Sequence, residues 1–264
     1  MEVKRSLIGP SGLNFFGRAA RHAETKQARE LQARFLPSDI PQVEGYGIAC
    51  AWHPSDEVSG DYFDVFPLDD KRMALCVADV SGKGLSAATL MGDLHAAVRA
   101  HACEAETPAD LCTRVNKALC ARIAPGKFVT MFYGVLDRAT GCLQYESAGH
   151  CLPVLIRHGG QVEFPTSFGG VLGLFSHWLY RDQEAHLLPG DTLLLITDGV
   201  IEAEGHRREE FGYQRLISVA QTARTQGAEA LGRQVLEAIA KFSNGTVRDD
   251  ASLIVVNVDH AAST

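Results

Sequence analysis

Residues 59–84 read SGDYFDVFPLDDKRMALCVADVSGKG, and this stretch decides how the fold is predicted. It contains two apolar runs typical of β-strands, 61–67 and 73–79, separated by a polar turn. Asp61 opens the first run and Asp79 ends the second. A carboxylate at the end of a buried strand is costly unless a metal, a cation or backbone N–H groups compensate its charge. A turn or cap is the commoner role of one such Asp, while two at neighbouring strand ends also suit Mg²⁺ or Mn²⁺.

The composition is that of a globular protein with an acidic surface. The chain has 264 residues, of which 46% are hydrophobic and 22% are charged, and its formal net charge is −7. This length fits one large domain, or one domain with an attached segment. The negative charge argues against nucleic acid binding, which needs a basic face. Because no apolar run approaches the ~20 residues of a membrane helix, and no signal peptide is visible, we expect a cytoplasmic protein without a membrane span.

The cysteines predict neither a disulfide framework nor a zinc site. Their number is odd, and no two have the C-x-x-C spacing; they are Cys50, Cys76, Cys103, Cys112, Cys120, Cys142 and Cys151. Several lie in apolar runs, where a free Cys behaves as a small hydrophobic residue. The pattern indicates a reducing compartment, which agrees with a cytoplasmic location.

The first 40 residues differ in character from the rest of the chain. A helix is predicted from about Ala19 to Leu36, because strong helix formers fill this stretch and a proline follows it. Its narrow apolar stripe consists of Ala28, Leu31 and Phe35. Either this helix docks on its own domain, or it pairs with a second copy or a regulatory partner. We divide the chain into an N-terminal segment with a linker helix, 1–40, and a globular domain, 41–264.

The rest of the chain alternates between groups of strands and pairs of helices. Strands are predicted at 46–53, 61–67, 73–79, 130–137, 142–147, 153–157, 180–187, 191–197 and 251–258. Two pairs of helices are predicted. The first helix of the first pair has apolar residues at helical spacing: Ala87, Met91, Leu94 and Val98. Its second helix is capped by Thr107, with Leu111, Val115, Ala118 and Leu119 pointing inward, and the second pair covers 213–223 and 228–242. This order predicts an α+β fold with two mainly antiparallel sheets packed together and a helix pair on each outer face.

Two further acidic residues repeat the strand-end arrangement. Asp198 follows the apolar run 193–197, and Asp249 lies just before the strand predicted at 251–258. If folding brought Asp61, Asp79, Asp198 and Asp249 together, they would repel strongly without cations between them, so divalent metals are the natural counter-charge. The pattern by itself leaves their convergence open.

Six motifs occur in order along the chain: SGDYFDVF, CVADVSGKGLSAATLM, FVTMFYGVLDRATGCLQYESAGH, LLLITDGVIEAEG, EFGYQRL and RDDASLIVV. Together they closely resemble the metal-dependent (PPM, or type 2C) serine/threonine protein phosphatases, in the bacterial branch typified by SpoIIE and RsbU. The resemblance runs from about Leu31 to Val258 and implies a four-layer αββα sandwich with an N-terminal helical extension. The chain departs from the family at Ser59, where GGD is usual, and at Val171, where proline is common.

The resemblance also implies a site and a reaction. By motif, the metal ligands are the carboxylates of Asp61, Asp79, Asp198 and Asp249 and the backbone carbonyl of Val80, holding two Mn²⁺ or Mg²⁺ ions. The implied reaction is hydrolysis of phosphoserine or phosphothreonine by a water that the two ions activate. No G-x-S-x-G motif indicates a protein nucleophile. The implied substrate is a phosphorylated STAS-type anti-sigma-factor antagonist in a partner-switching pathway.

Three other residues near these motifs have structural as well as functional explanations. His150 is a candidate general acid, but a lone His in such a turn is more often structural. Asp64 and Asp250 are as suited to capping or holding loops as to touching metal, and Asp250 could equally orient a ligand.

Three charged residues beside the candidate ligands are weaker candidates still. Lys83 either approaches phosphate or is simply exposed at a helix start, and no P-loop motif surrounds it. Glu202 and Glu204 are expected on a solvated helix face.

Two alternative functions remain open at the level of sequence. The first is a binding module that keeps the fold and sequesters a regulatory partner, although such a module has no need of all four aspartates. The second is a metal-dependent hydrolase of small phosphoesters. A comparison of substrates separates this second alternative from a protein phosphatase.

Overall fold

The computed structural model describes residues 27–37 and 39–259. In these residues ten strands form two five-stranded sheets: β1 Tyr46–His53, β2 Tyr62–Pro67, β3 Arg72–Val80, β4 Val129–Asp137, β5 Cys142–Ala148, β6 Val154–Ile156, β7 Val162–Glu163, β8 Gln183–His186, β9 Thr192–Ile196 and β10 Ala251–Val258. The first sheet has the order β1-β10-β9-β6-β7 and the second the order β2-β3-β4-β5-β8. Every pairing between these strands is antiparallel, as predicted.

Besides a helical turn at residues 27–32, five α-helices lie against the sheets in the described part of the chain. They are α1 Leu85–His101, α2 Pro108–Cys120, α3 Asp198–Ile201, α4 Gly212–Ala223 and α5 Ala228–Phe242. The α1–α2 pair packs on the second sheet and the α4–α5 pair on the first. The predicted apolar face of α1 is buried, and the predicted cap of α2 forms, with the Thr107 hydroxyl accepting from the Asp110 N–H at 3.3 Å. The predicted four-layer αββα sandwich is therefore confirmed.

The remaining differences from the predictions are local. The sequence pattern missed β7, which has two residues, and α3, which has four, because such short elements display no periodicity. On α2, Ala118 is only half-buried, whereas the polar Asn116 is buried. Asn116 is tolerated there because it is hydrogen-bonded, donating to Phe175 O at 2.8 Å and accepting from Gly173 N at 2.8 Å.

The described part of the N-terminal segment docks on the sandwich. Residues 27–32 are helical and residues 33–35 form a turn, so the helix ends four residues before the predicted end at Leu36. Leu36 itself is buried in the main hydrophobic core. The Phe35 ring lies 5.2 Å from the ring of His95 on α1. These contacts support docking for residues 27–37, while the start of the predicted helix near Ala19 lies outside the described residues. Pairing with a second copy and the boundary at residue 40 both stay predictions.

The cysteines and the helices can be compared with the expectations from composition. All seven cysteines are free thiols. None of the helices in residues 27–37 and 39–259 is long and apolar enough to cross a membrane.

Candidate metal centre

The four predicted acidic ligands come from both sheets. Asp61 directly precedes β2, and Asp79 is the penultimate residue of β3 in the second sheet. Asp198 opens α3 and is separated from β9 by Thr197 alone, and Asp249 lies two residues before β10 in the first sheet. Because the two sheets stack face to face, these strand ends meet at one edge of the sandwich.

Asp61 is held by hydroxyl groups of the opposite sheet. Its carboxylate is buried, and Oδ2 accepts hydrogen bonds from Ser252 Oγ at 2.6 Å and Thr197 Oγ1 at 2.9 Å. Burial, and then the nearby Asp79 carboxylate, raise the pKa of Asp61 well above its usual range. The two hydroxyls partly offset this effect and fix the orientation of the carboxylate.

The pKa values of two other carboxylates are raised by burial and by their acidic neighbours. Burial, followed by the charges of Asp198 and Asp249, raises the pKa of Asp79 to about 7. Burial and the charge of Asp249 raise the pKa of Asp198. Folding therefore gathers the four aspartates that the sequence analysis singled out into one electronegative cluster.

Gly60 lets the loop before β2 approach this cluster closely. A Cβ at Gly60 would lie 3.0 Å from the Val80 carbonyl oxygen and 3.3 Å from Asp79 Oδ1. The Val80 carbonyl thus lies beside the Asp79 carboxylate at the candidate centre. Carboxylate and carbonyl oxygens in a cluster with excess negative charge fit the hard cations Mg²⁺ and Mn²⁺.

The acidic side chains are spread out and do not surround a single point. Within the described residues, no three of the aspartates have ligand atoms that all lie within 4.8 Å of one another. Cys142, Glu184 and His186 do come that close. Lys83 reaches the rim, where its Nζ lies 2.9 Å from Asp249 Oδ2 and donates to Arg248 O at 2.6 Å. Lys83 is exposed, yet it faces the candidate centre and not solvent alone.

Asp250 holds the loop that carries Asp61. Its Oδ1 accepts from the Ser55 N–H at 2.7 Å and the Ser55 hydroxyl at 2.9 Å, and its Oδ2 accepts from the Gly60 N–H at 3.0 Å. Both oxygens are therefore committed to protein donors. This favours the interpretation in which Asp250 orients a neighbouring ligand.

Gln32 is a residue that the sequence analysis missed. Its side-chain amide donates to Ser59 O at 2.6 Å and accepts from Ser59 N at 2.9 Å, and both groups are buried. The Ser59 hydroxyl in turn accepts from the Asp61 N–H at 3.0 Å, a bond that a glycine at this position could not form. The N-terminal segment is thus linked to the Asp61 loop by a short hydrogen-bonded chain.

Thr197 and Ser252 were missed as well, although a signal was present. Each lies inside a quoted motif, ITDG or DDAS, immediately next to or near a predicted ligand. A hydroxyl at such a position commonly orients a ligating carboxylate.

His150 and Asp64 have structural roles. The His150 ring bonds Thr130 Oγ1 through Nδ1 at 2.8 Å, its Nε2 is shut off from solvent, and burial lowers its pKa to about 4. The ring is therefore neutral near pH 7, which disfavours it as a general acid. Asp64 is fully buried and is bound by Arg99 at 2.7 and 2.9 Å and by the Tyr62 hydroxyl at 2.8 Å, which leaves it without access to a metal.

The two glutamates after α3 differ from each other. Glu202 is exposed but near the cluster, because partial burial and then the Asp198 charge raise its pKa. Glu204 pairs with Arg248 at the surface. The expected helix face is wrong, because α3 ends at Ile201 and Glu204 lies in an isolated β-bridge with Glu210. Glu202 is exposed and Glu204 is half-buried, and Glu202 also adds negative charge beside the centre.

We expect Ser252→Ala to weaken Mn²⁺ binding by about 10- to 100-fold, because the variant loses the shorter of the two hydroxyl bonds that orient Asp61. Calorimetric titration with Mn²⁺ measures the change. Ser218→Ala, at an exposed position of α4, is the matched control and should bind as the wild type does. Equal affinity in Ser252→Ala and the wild type would contradict the orienting role.

The family profile described as Stage II sporulation protein E (SpoIIE) matches residues 69–259, which is more than half of the chain. The chain belongs to the SpoIIE family. This family consists of PPM-type serine/threonine phosphatases, which are metal-dependent hydrolases. Asp79, Val80, Asp198 and Asp249 lie inside the matched range, and Asp61 lies just before it.

Two curated proteins show how this SpoIIE-family chain relates to longer relatives. Protein IcfG of Synechocystis sp. is 29% identical over 261 residues, which cover 88% of this chain and 41% of IcfG. Phosphoserine phosphatase RsbU of Bacillus subtilis is 27% identical over 237 residues, which cover 89% of this chain and 70% of RsbU. The chain thus spans less than half the length of one relative and somewhat over two thirds of the other.

A solved structure agrees with the fold. The SiaA-PP2C domain of Pseudomonas aeruginosa superposes with a TM-score of 0.80 at 20% sequence identity, and the match covers 92% of this chain and 99% of that domain. At this identity the likeness shows the shared PP2C architecture.

Proposed function

We propose that this SpoIIE-family chain is a metal-dependent protein phosphatase that hydrolyses phosphoserine or phosphothreonine. One observation carries the proposal: acidic side chains from both sheets converge at one edge of the sandwich and raise one another's pKa values. We propose as metal ligands the carboxylates of Asp61, Asp79, Asp198 and Asp249 and the backbone carbonyl of Val80.

Two Mn²⁺ or Mg²⁺ ions, when bound, supply activation of water and neutralisation of charge on a phosphoryl group. The chain's own residues hold the ligands in place, with Ser252 and Thr197 orienting Asp61. Lys83 provides an ammonium group at the exposed rim, where it can attract a phosphate dianion. Cys151 lies near Asp198, but burial raises the pKa of its thiol to about 12, so it is no thiolate nucleophile at neutral pH.

We propose a phosphorylated STAS-type protein as the substrate, within a partner-switching pathway in the cytoplasm. The support is the ordered set of six motifs and the similarity to RsbU, which is named a phosphoserine phosphatase. The exposed rim of the acidic cluster is also more accessible to a protein substrate than an enclosed pocket would be.

The test is a panel of phosphorylated STAS proteins incubated with the purified chain and Mn²⁺. We expect their dephosphorylation to be faster than the hydrolysis of an aryl phosphate, and EDTA to stop both reactions. Hydrolysis of the aryl phosphate alone would favour a small-molecule hydrolase. Mn²⁺ binding without hydrolysis of either substrate would favour a binding module.

We further propose that the N-terminal segment, 1–40, relays a regulatory signal to the globular domain, 41–264. The Gln32 amide supports this proposal, because it binds the loop that positions Asp61. Dimerisation or a regulator contact through residues 19–36 is the alternative input, and it acts on the same segment.

Gln32→Ala is expected to destabilise the protein by about 1–3 kcal/mol, because two buried backbone groups of Ser59 lose their partner. It should also weaken Mn²⁺ binding while the mass in solution stays unchanged. Urea unfolding, calorimetry and light scattering measure these quantities, with the exposed Gln27→Ala as the control. Unchanged Mn²⁺ affinity in Gln32→Ala would remove the support for a relay, and a lower mass would point to self-association.

A further inference from the structure

Cys142, Glu184 and His186 form a second cluster of donor side chains. In the pairing of β5 with β8, Cys142 lies opposite His186, and Glu184 lies two residues away on the same face of β8. The three ligand atoms all lie within 4.8 Å of one another, and Glu184 Oε1 is 3.1 Å from His186 Nε2. The side chains are half-buried or exposed and therefore accessible from solvent.

This cluster lies at the opposite end of the sheet from the acidic centre. Asp79 pairs with Thr130 near the N-terminal end of β4. Leu136, near the C-terminal end of β4, pairs with Leu143. Cys142 directly precedes Leu143 at this far end. Ligands bound at the two places therefore do not compete for the same side chains.

The donor set has a recognisable chemistry. A thiolate, an imidazole and a carboxylate are the three protein ligands that Zn²⁺ uses, with water completing a tetrahedron in open sites. A thiolate and a carboxylate together neutralise the charge of the ion. Burial, and then Glu184, raise the pKa of the Cys142 thiol, so binding would displace a proton from the sulfur.

The pairing of β5 with β8 brings the three side chains together in register. Residues Cys142 to Tyr145 pair in register with Gln183 to His186. Leu187 N donates to Gly141 O at 2.8 Å, and Cys142 N donates to Thr140 Oγ1 at 3.3 Å. A surface ion pair between Glu184 and His186 would explain why these two side chains are close together. It does not explain the nearby Cys142 thiol, which provides the third protein ligand for zinc.

We propose that Cys142, Glu184 and His186 bind Zn²⁺ and thereby fasten β8 to β5. β8 is the four-residue edge strand of its sheet, and such short edges have few backbone bonds to hold them. The ion would add a cross-strand link at the point where the chain leaves the sheet edge. This site departs from the expectation, based on cysteine spacing, that the chain contains no zinc site.

Cobalt substitution tests the proposal on the full chain. With the protein saturated in Mg²⁺, addition of Co²⁺ should produce the thiolate-to-metal charge-transfer absorption that carboxylate sites lack, and Zn²⁺ should abolish it. Cys142→Ser should lose the band, whereas Cys151→Ser, which removes the thiol beside the acidic centre, should keep it. His186→Gln should raise the Kd for Co²⁺ at least about tenfold.

The opposite outcomes would overturn the proposal. These are no charge-transfer band in the wild type, a band that survives Cys142→Ser, or a band lost in Cys151→Ser. The melting temperature in EDTA shows whether Cys142→Ser is folded, and His186→Gln, at an exposed position, provides a second variant if it is not.

A thermal measurement separates this site from the proposed phosphatase centre. Zn²⁺ should raise the melting temperature of the Mg²⁺-saturated wild type and of Asp79→Asn, but not that of Cys142→Ser. Zinc stabilisation in the absence of phosphatase activity would leave the zinc proposal standing and defeat only the proposed function. An equal effect of Zn²⁺ on Cys142→Ser and the wild type would defeat the zinc proposal.

Discussion

Replacing Asp79 by Asn is expected to lower the rate of phosphoester hydrolysis by at least about 10²-fold, because each metal contribution to such a reaction is worth several kcal/mol. Asp79 has the central position in the acidic cluster, since the charges of Asp198 and Asp249 both act on its carboxyl group. The amide keeps the shape of the side chain but loses its charge. Initial rates with a phosphoprotein and with an aryl phosphate, at saturating Mn²⁺, measure the loss.

The same variant should show that the loss is not a loss of fold. In EDTA the Asn side chain removes one of several mutually repelling carboxylates, so the melting temperature should equal or exceed that of the wild type. Added Mn²⁺ should stabilise the variant less than it stabilises the wild type. Asp93→Asn, at an exposed position of α1, is the matched control. Wild-type activity in Asp79→Asn would remove this residue from the proposed ligands.

Replacing Arg99 by Met is expected to cost about 3 kcal/mol or more of unfolding free energy, because it leaves the buried Asp64 carboxylate without its cation. Arg99 binds both oxygens of Asp64, at 2.7 and 2.9 Å, and its guanidinium lies 3.9 Å from the centre of the Phe66 ring. Asp64 is completely buried, so in the variant an uncompensated charge lies in the protein interior. Urea unfolding followed by circular dichroism measures the change.

The Asp69–Arg72 pair provides the control for this effect. Its side chains form a 2.7 Å contact of the same chemistry, but both are largely exposed. Arg72→Met should therefore change stability by less than about 1 kcal/mol. The double variant Arg99→Met with Asp64→Leu should recover part of the loss, since no unpaired charge remains. A similar small effect of Arg99→Met and Arg72→Met would contradict the proposed burial cost.

The larger elements of this fold could be predicted from the sequence because their signals are local. The strand Ala251–Val258 and the helix Ala228–Phe242 have the predicted bounds, since an apolar run or a helical repeat is complete within each segment. The Thr107 cap also forms as predicted, because its partner is three residues away. Where the local signal is short, as for Val162–Glu163, the prediction failed.

The sequence by itself determined the sandwich and pointed to Asp61, Asp79, Asp198 and Asp249 through strand-end positions and family motifs. Only the tertiary structure decided that these side chains meet, that Ser252 and Thr197 orient one of them, and that Gln32 reaches the same loop. It likewise decided the cluster of Cys142, Glu184 and His186, which spacing rules cannot detect because its members lie on two paired strands. The physical reason is the same in each case: these contacts depend on strand register and on the stacking of sheets, which join residues distant in sequence.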